Sequence, residues 1–485
     1  MDFFSKNGKT LELNIVTIKI LLKVKNMLYR KIMSDLEDWK EKEDTALLVD
    51  GARQVGKTYI IKEFIKSFNN AIEIDFTKNN TALDYLLEIK SYEDFINRLS
   101  LISPIKLTDK NDILFLDEIQ YYYEMREKRI QADPLYTSHN IDILTLTKEI
   151  TQKGGFRIIM SGSLLGVAIM NVNLNPAGYC RKITMYPLDF EEFLLANGIS
   201  EYFIEQAKQA FINREPLSDS IHTLFLNKFK EYVLIGGFPA SVQGYINDKT
   251  LSESNKALSI IDTWYRADIS KYADVKDRLI IQEMYNHLPN EINEKNRKFV
   301  KSHLDSLPDF KNLDLRDRFL WLKATGIAIP TYNVTNPKYP LSISQDYKIV
   351  KVFMGDVGLL THYLFGEEDK RKLLISSKGY DLGAVYENAV AELLVAHGYE
   401  PRFHSRVKRG EIDFIIEKNM NVCPIEIKSY EPDKSSGAYS HPALNNLLED
   451  HQEIKDSWVF GINNVKRENN RIQMFPIYMI DFVRK

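Results

Sequence analysis

The chain has only two cysteines, Cys180 and Cys423, far apart and outside any paired motif. That excludes a disulfide framework and a cysteine zinc site, and it suits a reducing cytoplasm. No apolar run reaches about 18 residues, so no membrane span is expected. The segment IVTIKILLKV (15–24) is interrupted by Lys19 and Lys23 and lacks a small-residue cleavage site, which argues against a signal peptide. An ordinary strand or helix, or an extension upstream of a start at Met27, fits it better. From Leu28, LYRKIMSDLEDWK reads as a new amphipathic helix. There is no excess of one charge either: 64 basic and 67 acidic side chains leave a net charge of −3. No global field draws the protein to nucleic acid or a membrane, so any such binding needs a local patch.

What is present is enough apolar material, 44% of 485 residues, for several cores, and that length predicts roughly two to four domains. Four textures follow an N-terminal extension, 1–26. Residues 27–200 alternate short apolar runs (ALLVDG, IEIDF, ILFLDE, RIIMSGS) with helical patterns, the signature of a mainly parallel α/β sheet. Residues 201–280 read as helices broken at Gly-Gly-Phe-Pro, 236–239. Residues 281–375 carry helices and then two β-like runs joined by Asn and Pro, a winged-helix-like unit. Residues 376–485 open with the helical GAVYENAVAELLVAHG and continue as strands, a second α/β domain.

GARQVGKT (51–58) matches the phosphate-loop pattern G-x-x-x-x-G-K-[ST] in full, after an apolar strand and before a helix. The backbone of Gly51, Ala52, Arg53, Gln54, Val55 and Gly56 is expected to curl its N–H groups around phosphate, at a helix N-terminus that favours an anion. Lys57 would reach the β and γ phosphates of ATP, and Thr58 would ligate Mg²⁺. ILFLDEIQ (113–120) is a buried strand running into two acids: Asp117 as a second Mg²⁺ ligand and Glu118 as the group that polarises the attacking water. RIIMSGSLLG (157–166) brings Ser161 and Ser163 to a third strand end, as a γ-phosphate or water contact or, for Ser163, a helix cap. Arg53 and Arg181 are candidate phosphate contacts, here or in a neighbouring subunit, or else solvated surface arginines.

Together with MYPLDFEEFL (185–194), YVLIGGFPASV (232–242), YRADISKYA (265–273) and KVFMGDVGLL (351–360), these motifs resemble the bacterial and archaeal AAA-type ATPases whose C-terminal part is a domain of unknown function. The resemblance runs from about Met27 onward. It implies an AAA+ parallel-sheet core, a helical and winged-helix-like middle, and a C-terminal fold similar to PD-(D/E)XK nucleases. AAA+ cores often act as rings, which makes a homo-oligomer an expectation. The polar stretch YYYEMREKRIQADPLYTSHN (121–140) departs from the pattern.

In EIDFIIEKNMNVCPIEIK (411–428), two β-like runs flank a four-residue loop. Pairing Glu417 with Val422 sets Asp413 opposite Glu426 and Glu411 opposite Lys428. By alternation Ile412, Phe414, Ile416, Ile425 and Ile427 face the core, while Asp413, Glu426 and Lys428 share the other face. Two facing carboxylates need a shared proton, a cation or a metal, and hard oxygen ligands suit a second Mg²⁺ or Mn²⁺. Glu387 on the preceding helix would complete the set Glu387, Asp413, Glu426, Lys428, which matches the PD-(D/E)XK pattern position by position. A solvated strand face of mixed charge is the alternative. In RFHSRVKR (402–409), a strand would line up Arg402, His404, Arg406 and Lys408 on one face, the footprint of a groove for DNA or RNA, or a solvated edge. The expected function is Mg-ATP hydrolysis coupled to action on nucleic acid. The alternatives are an ATP-gated binding module that cuts nothing and a metal-dependent nuclease licensed by ATP.

Overall fold

The computed structural model describes residues 28–485 apart from 154, 164–177, 274, 295–297, 305–313, 377 and 431–438. The segment 15–24 and Met27 lie outside the described residues. Among those described, no helix is long and apolar enough to cross a membrane.

The first domain runs α1 (Ile32–Lys42), β1 (Ala46–Asp50), α2 (Lys57–Phe64), β2 (Asn70–Asp75), α3 (Asn80–Leu87), α4 (Tyr92–Ile102) and β3 (Asp112–Asp117). It continues through α5 (Ile119–Ala132), α6 (Tyr136–His139), α7 (Ile143–Gln152), β4 (Arg157–Ser161) and β5 (Cys180–Thr184). The five strands are parallel, in the order β2-β3-β4-β1-β5. Every residue of β1 and β3 is buried, because helices cover both faces of the sheet. Leu47, Val49, Phe115 and Ile159 enter one core, and Leu48, Leu114, Leu116 and Met160 enter another. Parallel strands put the ends of β1, β3 and β4 on one edge, where ligands of open α/β sheets bind.

The middle is α8 (Phe190–Ala196), α9 (Glu201–Asn213), α10 (Asp219–Ile235), α11 (Pro239–Asp248), α12 (Leu251–Tyr272) and α13 (Val275–Asn293). Then come α14 (Arg316–Ala324), β6 (Ala328–Val334), β7 (Gln345–Met354), α15 (Val357–Leu364) and α16 (Glu367–Ile375). Two of the sequence motifs meet here as a packing joint. Asp356 accepts from the backbone N–H of Gly237 at 2.7 Å and of Leu359 at 3.0 Å. Gly236 has φ +76°, and a Cβ on it would lie 2.3 Å from Asp356 Oδ1. Only glycine fits that turn.

The last part is α17 (Gly383–Ala396), β8 (Arg402–Arg406), β9 (Gly410–Lys418), β10 (Asn421–Ile427), α18 (Pro442–Asp450), β11 (Ser457–Gly461), β12 (Lys466–Arg467) and β13 (Ile472–Pro476). One eight-stranded sheet has the order β12-β13-β11-β10-β9-β8-β6-β7. The β6–β7 hairpin, expected in a winged-helix-like unit, is thus the edge of the C-terminal sheet. It joins β8 in parallel at Asn333↔Phe403, where the Asn333 side chain also accepts from Ser405 N at 2.9 Å. The first core extends from Trp39 through the middle helices to Val483.

The β9–β10 hairpin pairs Val422 with Glu417 and continues to Ile425↔Phe414, the register expected from its loop. Beyond that pair the alternation breaks. Arg402 faces Ile415 but His404 faces Ile412, so β9 carries an extra residue against β8. Ile412 therefore enters the core beneath α18 with Ile415, while Phe414 and Ile416 pack on the α17 side. The expected grouping of Ile412 with Phe414 is corrected by this bulge.

Candidate active site

The phosphate loop is built from strained backbone held in place by neighbours. Gly51 and Gly56 have φ +139° and +97°, and Gln54 lies between them at +68°. A Cβ on Gly51 would sit 2.1 Å from the Met185 carbonyl oxygen, so the strand-to-loop exit admits no side chain. Gly51 N donates to Asp50 Oδ1 at 2.8 Å. From behind, the buried Arg30 donates to the Val55 carbonyl at 2.8 Å and the Tyr186 carbonyl at 2.6 Å, and pairs with Glu192 at 3.2 Å. Lys57 Nζ donates to the Gly51 and Ala52 carbonyls, both at 2.8 Å. Burial pushes the Lys57 ammonium down to about 8, against the pull of Glu118, Asp50 and Asp117. A phosphate anion at Lys57 would oppose that fall.

Asp117 is the meeting point. Thr58 Oγ1 donates to its Oδ2 at 2.8 Å, and Ser161 Oγ donates to its Oδ1. Two hard oxygen donors from β3 and the first turn of α2 therefore lie side by side, the donor chemistry that fits Mg²⁺ beside phosphate. Glu118 follows with φ +54°, which turns its side chain out of the strand direction at the start of α5. The Gln120 amide donates to Glu118 Oε2 and lies 3.5 Å from Ser163 Oγ. Ser161 thus touches Asp117, and Ser163 reaches Glu118 through Gln120. Gln120 was missed from the sequence, where it is one more polar residue after two acids.

Arg53 turns away from the loop. Its guanidinium pairs with Asp268 Oδ1 at 2.7 Å and lies 4.9 Å from the Trp264 ring centroid, both on α12. Its side chain is held by α12, so the solvated-arginine reading gives way to this pair. Burial raises the Asp268 carboxyl to about 6, with Arg53 opposing and Glu118 adding to the rise. Arg181, the other candidate phosphate contact, pairs with Glu43 at 2.5 Å instead.

In the C-terminal sheet the four expected residues divide. Asp413 caps the N–H of Ile427 at 2.8 Å across the bulge instead of facing Glu426 in a regular pair. Glu426 is buried and pairs with Lys428 at 2.9 Å. Burial raises the Glu426 carboxyl to about 7; Lys428 opposes and Asp413 adds to the rise. Asp413 and Glu426 are thus electrostatic neighbours with Lys428 beside them. Glu387, buried on α17, lies 3.6 Å from the Lys351 ammonium, which also pairs with Glu411 at 2.6 Å. Among the described residues, no set of ligand atoms within 4.8 Å of one another joins Glu387 to Asp413 and Glu426.

The set that does meet that distance is Asp189, His397 and Asp481. It already has its cations: Lys31 pairs with Asp189 at 2.5 Å, and Arg484 lies 3.5 Å from Asp189 and 3.7 Å from Asp481. Asp481 accepts from the N–H groups of Phe190 and Glu191 at 3.3 and 3.1 Å. These pairs tie the end of the first domain to the C-terminal one.

The expected cationic stripe is corrected. Arg402 and His404 are buried, with Arg402 on Gln345 at 2.7 Å and the His404 ring on the Val334 carbonyl at 2.6 Å. Lys408 sits past the end of β8 in a turn, at φ +66°. Arg406 and Arg409 both reach Asp450, at 3.5 and 3.4 Å. Pairing with β6 and β9 buries the strand start, so its side chains serve the sheet.

Residues 43–194 match the family model of an AAA domain. This segment is an AAA-type ATPase domain. Its match spans the phosphate loop, Asp117, Glu118 and Ser161. Residues 226–370 match a domain of unknown function (DUF8612) and residues 382–480 another (DUF4143). No curated protein matches the chain. Similar solved structures include a Walker-type ATPase of Pyrococcus abyssi, 15% identical over 70% of this chain and 96% of that one, TM-score 0.39. They also include ORC1 of Aeropyrum pernix in complex with DNA, 11% identical over 71% and 94%, TM-score 0.28. ORC2 of Aeropyrum pernix is 10% identical over 77% and 93%, TM-score 0.32.

Proposed function

We propose that the AAA domain hydrolyses Mg-ATP and that the C-terminal sheet applies the cycle to nucleic acid. The observation that carries the first part is the convergence of Lys57, Thr58 and Asp117 where β1 and β3 end. Lys57 exchanges its two carbonyl partners for phosphate oxygens. Thr58 and Asp117 would hold Mg²⁺, which supplies charge neutralisation on the phosphates. Glu118, held by Gln120, orients the attacking water and accepts its proton. Phosphate release by the full chain, abolished in Lys57→Ala and reduced at least about 100-fold in Glu118→Gln, tests this. Release unaffected by both substitutions would reject it.

The C-terminal step has two readings. The neighbouring Asp413, Glu426 and Lys428 support a site of the PD-(D/E)XK kind, with Mg²⁺ or Mn²⁺ held by Asp413 and Glu426. Lys428 closing on Glu426, and Glu387 engaged with Lys351, support the second reading: an ATP-gated binding module without cleavage. The geometry favours the second, because an internal cation already offsets the acids. Incubating single- and double-stranded DNA and RNA with each metal, with and without ATP, separates them. Cleavage lost in Asp413→Ala would establish the nuclease; binding without cleavage would establish the module.

A further inference from the structure

The motif YRADISKYA is the last part of α12, and nothing in the hydrolysis chemistry above uses it. One turn of it grips the phosphate loop through Arg53 and Asp268, 2.7 Å apart, with the guanidinium on Trp264. The next turn grips the helix that leaves Glu118: Lys271 Nζ lies 3.6 Å from Glu124 Oε2 and 5.6 Å from the Tyr121 ring centroid. The adjoining face of α12 buries Leu258, Ile261, Tyr265 and Ile269. Tyr265 there stacks edge-on to Phe238 of the glycine turn, at 6.2 Å. A single helix therefore spans both halves of the ATP site and is anchored to the middle of the molecule.

We propose that Asp268 is a positioning residue that latches α12 to the phosphate loop through Arg53, and that the γ-phosphate of ATP opens the latch by taking Arg53. This rests on ATP binding at the loop. Arg53 is carried by that loop, between Gly51 and Gly56. A terminal phosphate offers the guanidinium paired oxygens for a bidentate contact and more negative charge than one carboxylate. ADP presents no γ-phosphate and leaves the latch closed. The nucleotide state is thereby reported to α12, and through Tyr265 to the glycine turn.

The test measures the affinity of the full chain for the β,γ-imido analogue of ATP and for ADP, both with Mg²⁺. It uses wild type, Asp268→Asn, Arg53→Gln and the double variant. Asp268→Asn frees Arg53 and is expected to tighten triphosphate binding about 5- to 20-fold with ADP binding changed less than about 2-fold. In the Arg53→Gln background the same substitution is expected to do nothing, which separates the latch from simple removal of a nearby negative charge. Arg53→Gln alone, at a partly exposed side chain, is expected to weaken the triphosphate selectively. Trp264 emission is the second readout: the analogue should shift it, ADP should not, and Trp264→Phe should remove the response. Equal gains in both Arg53 backgrounds, equal effects on ADP, or no effect would overturn the latch. Wild type binding neither nucleotide would instead reject the ATP reading itself.

Discussion

The hydroxyl of Thr58 and the carboxylate of Asp117 meet at 2.8 Å, joining the helix that begins at Lys57 to the strand that ends in the acid pair. Under the proposed function these are two of the oxygens that would hold Mg²⁺. Removing either donor should therefore act through Mg²⁺. Thr58→Ala and Asp117→Asn are each expected to lower kcat for ATP at least about 100-fold and to raise the Mg²⁺ concentration needed for half activity. A magnesium titration of phosphate release measures both.

Gln120 touches Glu118 and not the phosphate loop, so its effect should be smaller and differently distributed. Gln120→Ala is expected to lower kcat about 10-fold with KM nearly unchanged, whereas Glu118→Gln should cost about 100-fold or more. Steady-state kinetics on the two variants distinguishes positioning from chemistry.

The buried Glu426 titrates near 7, above its ordinary range, so the folded protein binds this proton more tightly than the unfolded chain does. Its contribution is present below about pH 4.5 and is lost as pH rises through 7. Glu426→Gln removes that loss. Relative to wild type, the variant should gain stability between pH 5 and 8, on the order of 2–3 kcal/mol at the upper end, seen as a rising Tm difference. Thermal melts across that range check the slope.

Gly236 has a left-handed backbone and no room toward Asp356. Gly236→Ala is expected to cost about 2–4 kcal/mol, read as a lowered midpoint in urea with an unchanged slope.

The elements with a local cause were legible. The phosphate loop needs glycines at Gly51 and Gly56, and the buried strand before Asp117 is continuously apolar, so both stand out in a linear reading. The β9–β10 register followed from loop length and alternation as far as Ile425↔Phe414. What was illegible depends on partners distant in the chain. The bulge that turns Asp413 toward Ile427 exists because β8 pairs with β9, and the pairing that buries Arg402 and His404 uses β6 and β7 from about 50–70 residues earlier. The partner that holds the Arg53 side chain, Asp268, lies 215 residues away and cannot be read beside it. Local chemistry shows in short patterns, whereas ion pairs between domains do not.

The core that runs from Trp39 to Val483 has a mechanical consequence. A domain swinging on a linker needs a thin waist of few contacts, and here packed side chains bridge the ATPase sheet, the middle helices and α17. Such a body is stiff. It can yield by small sliding at polar joints more readily than by a wide hinge. Small shifts between helices already in contact suit such packing better than wide swings.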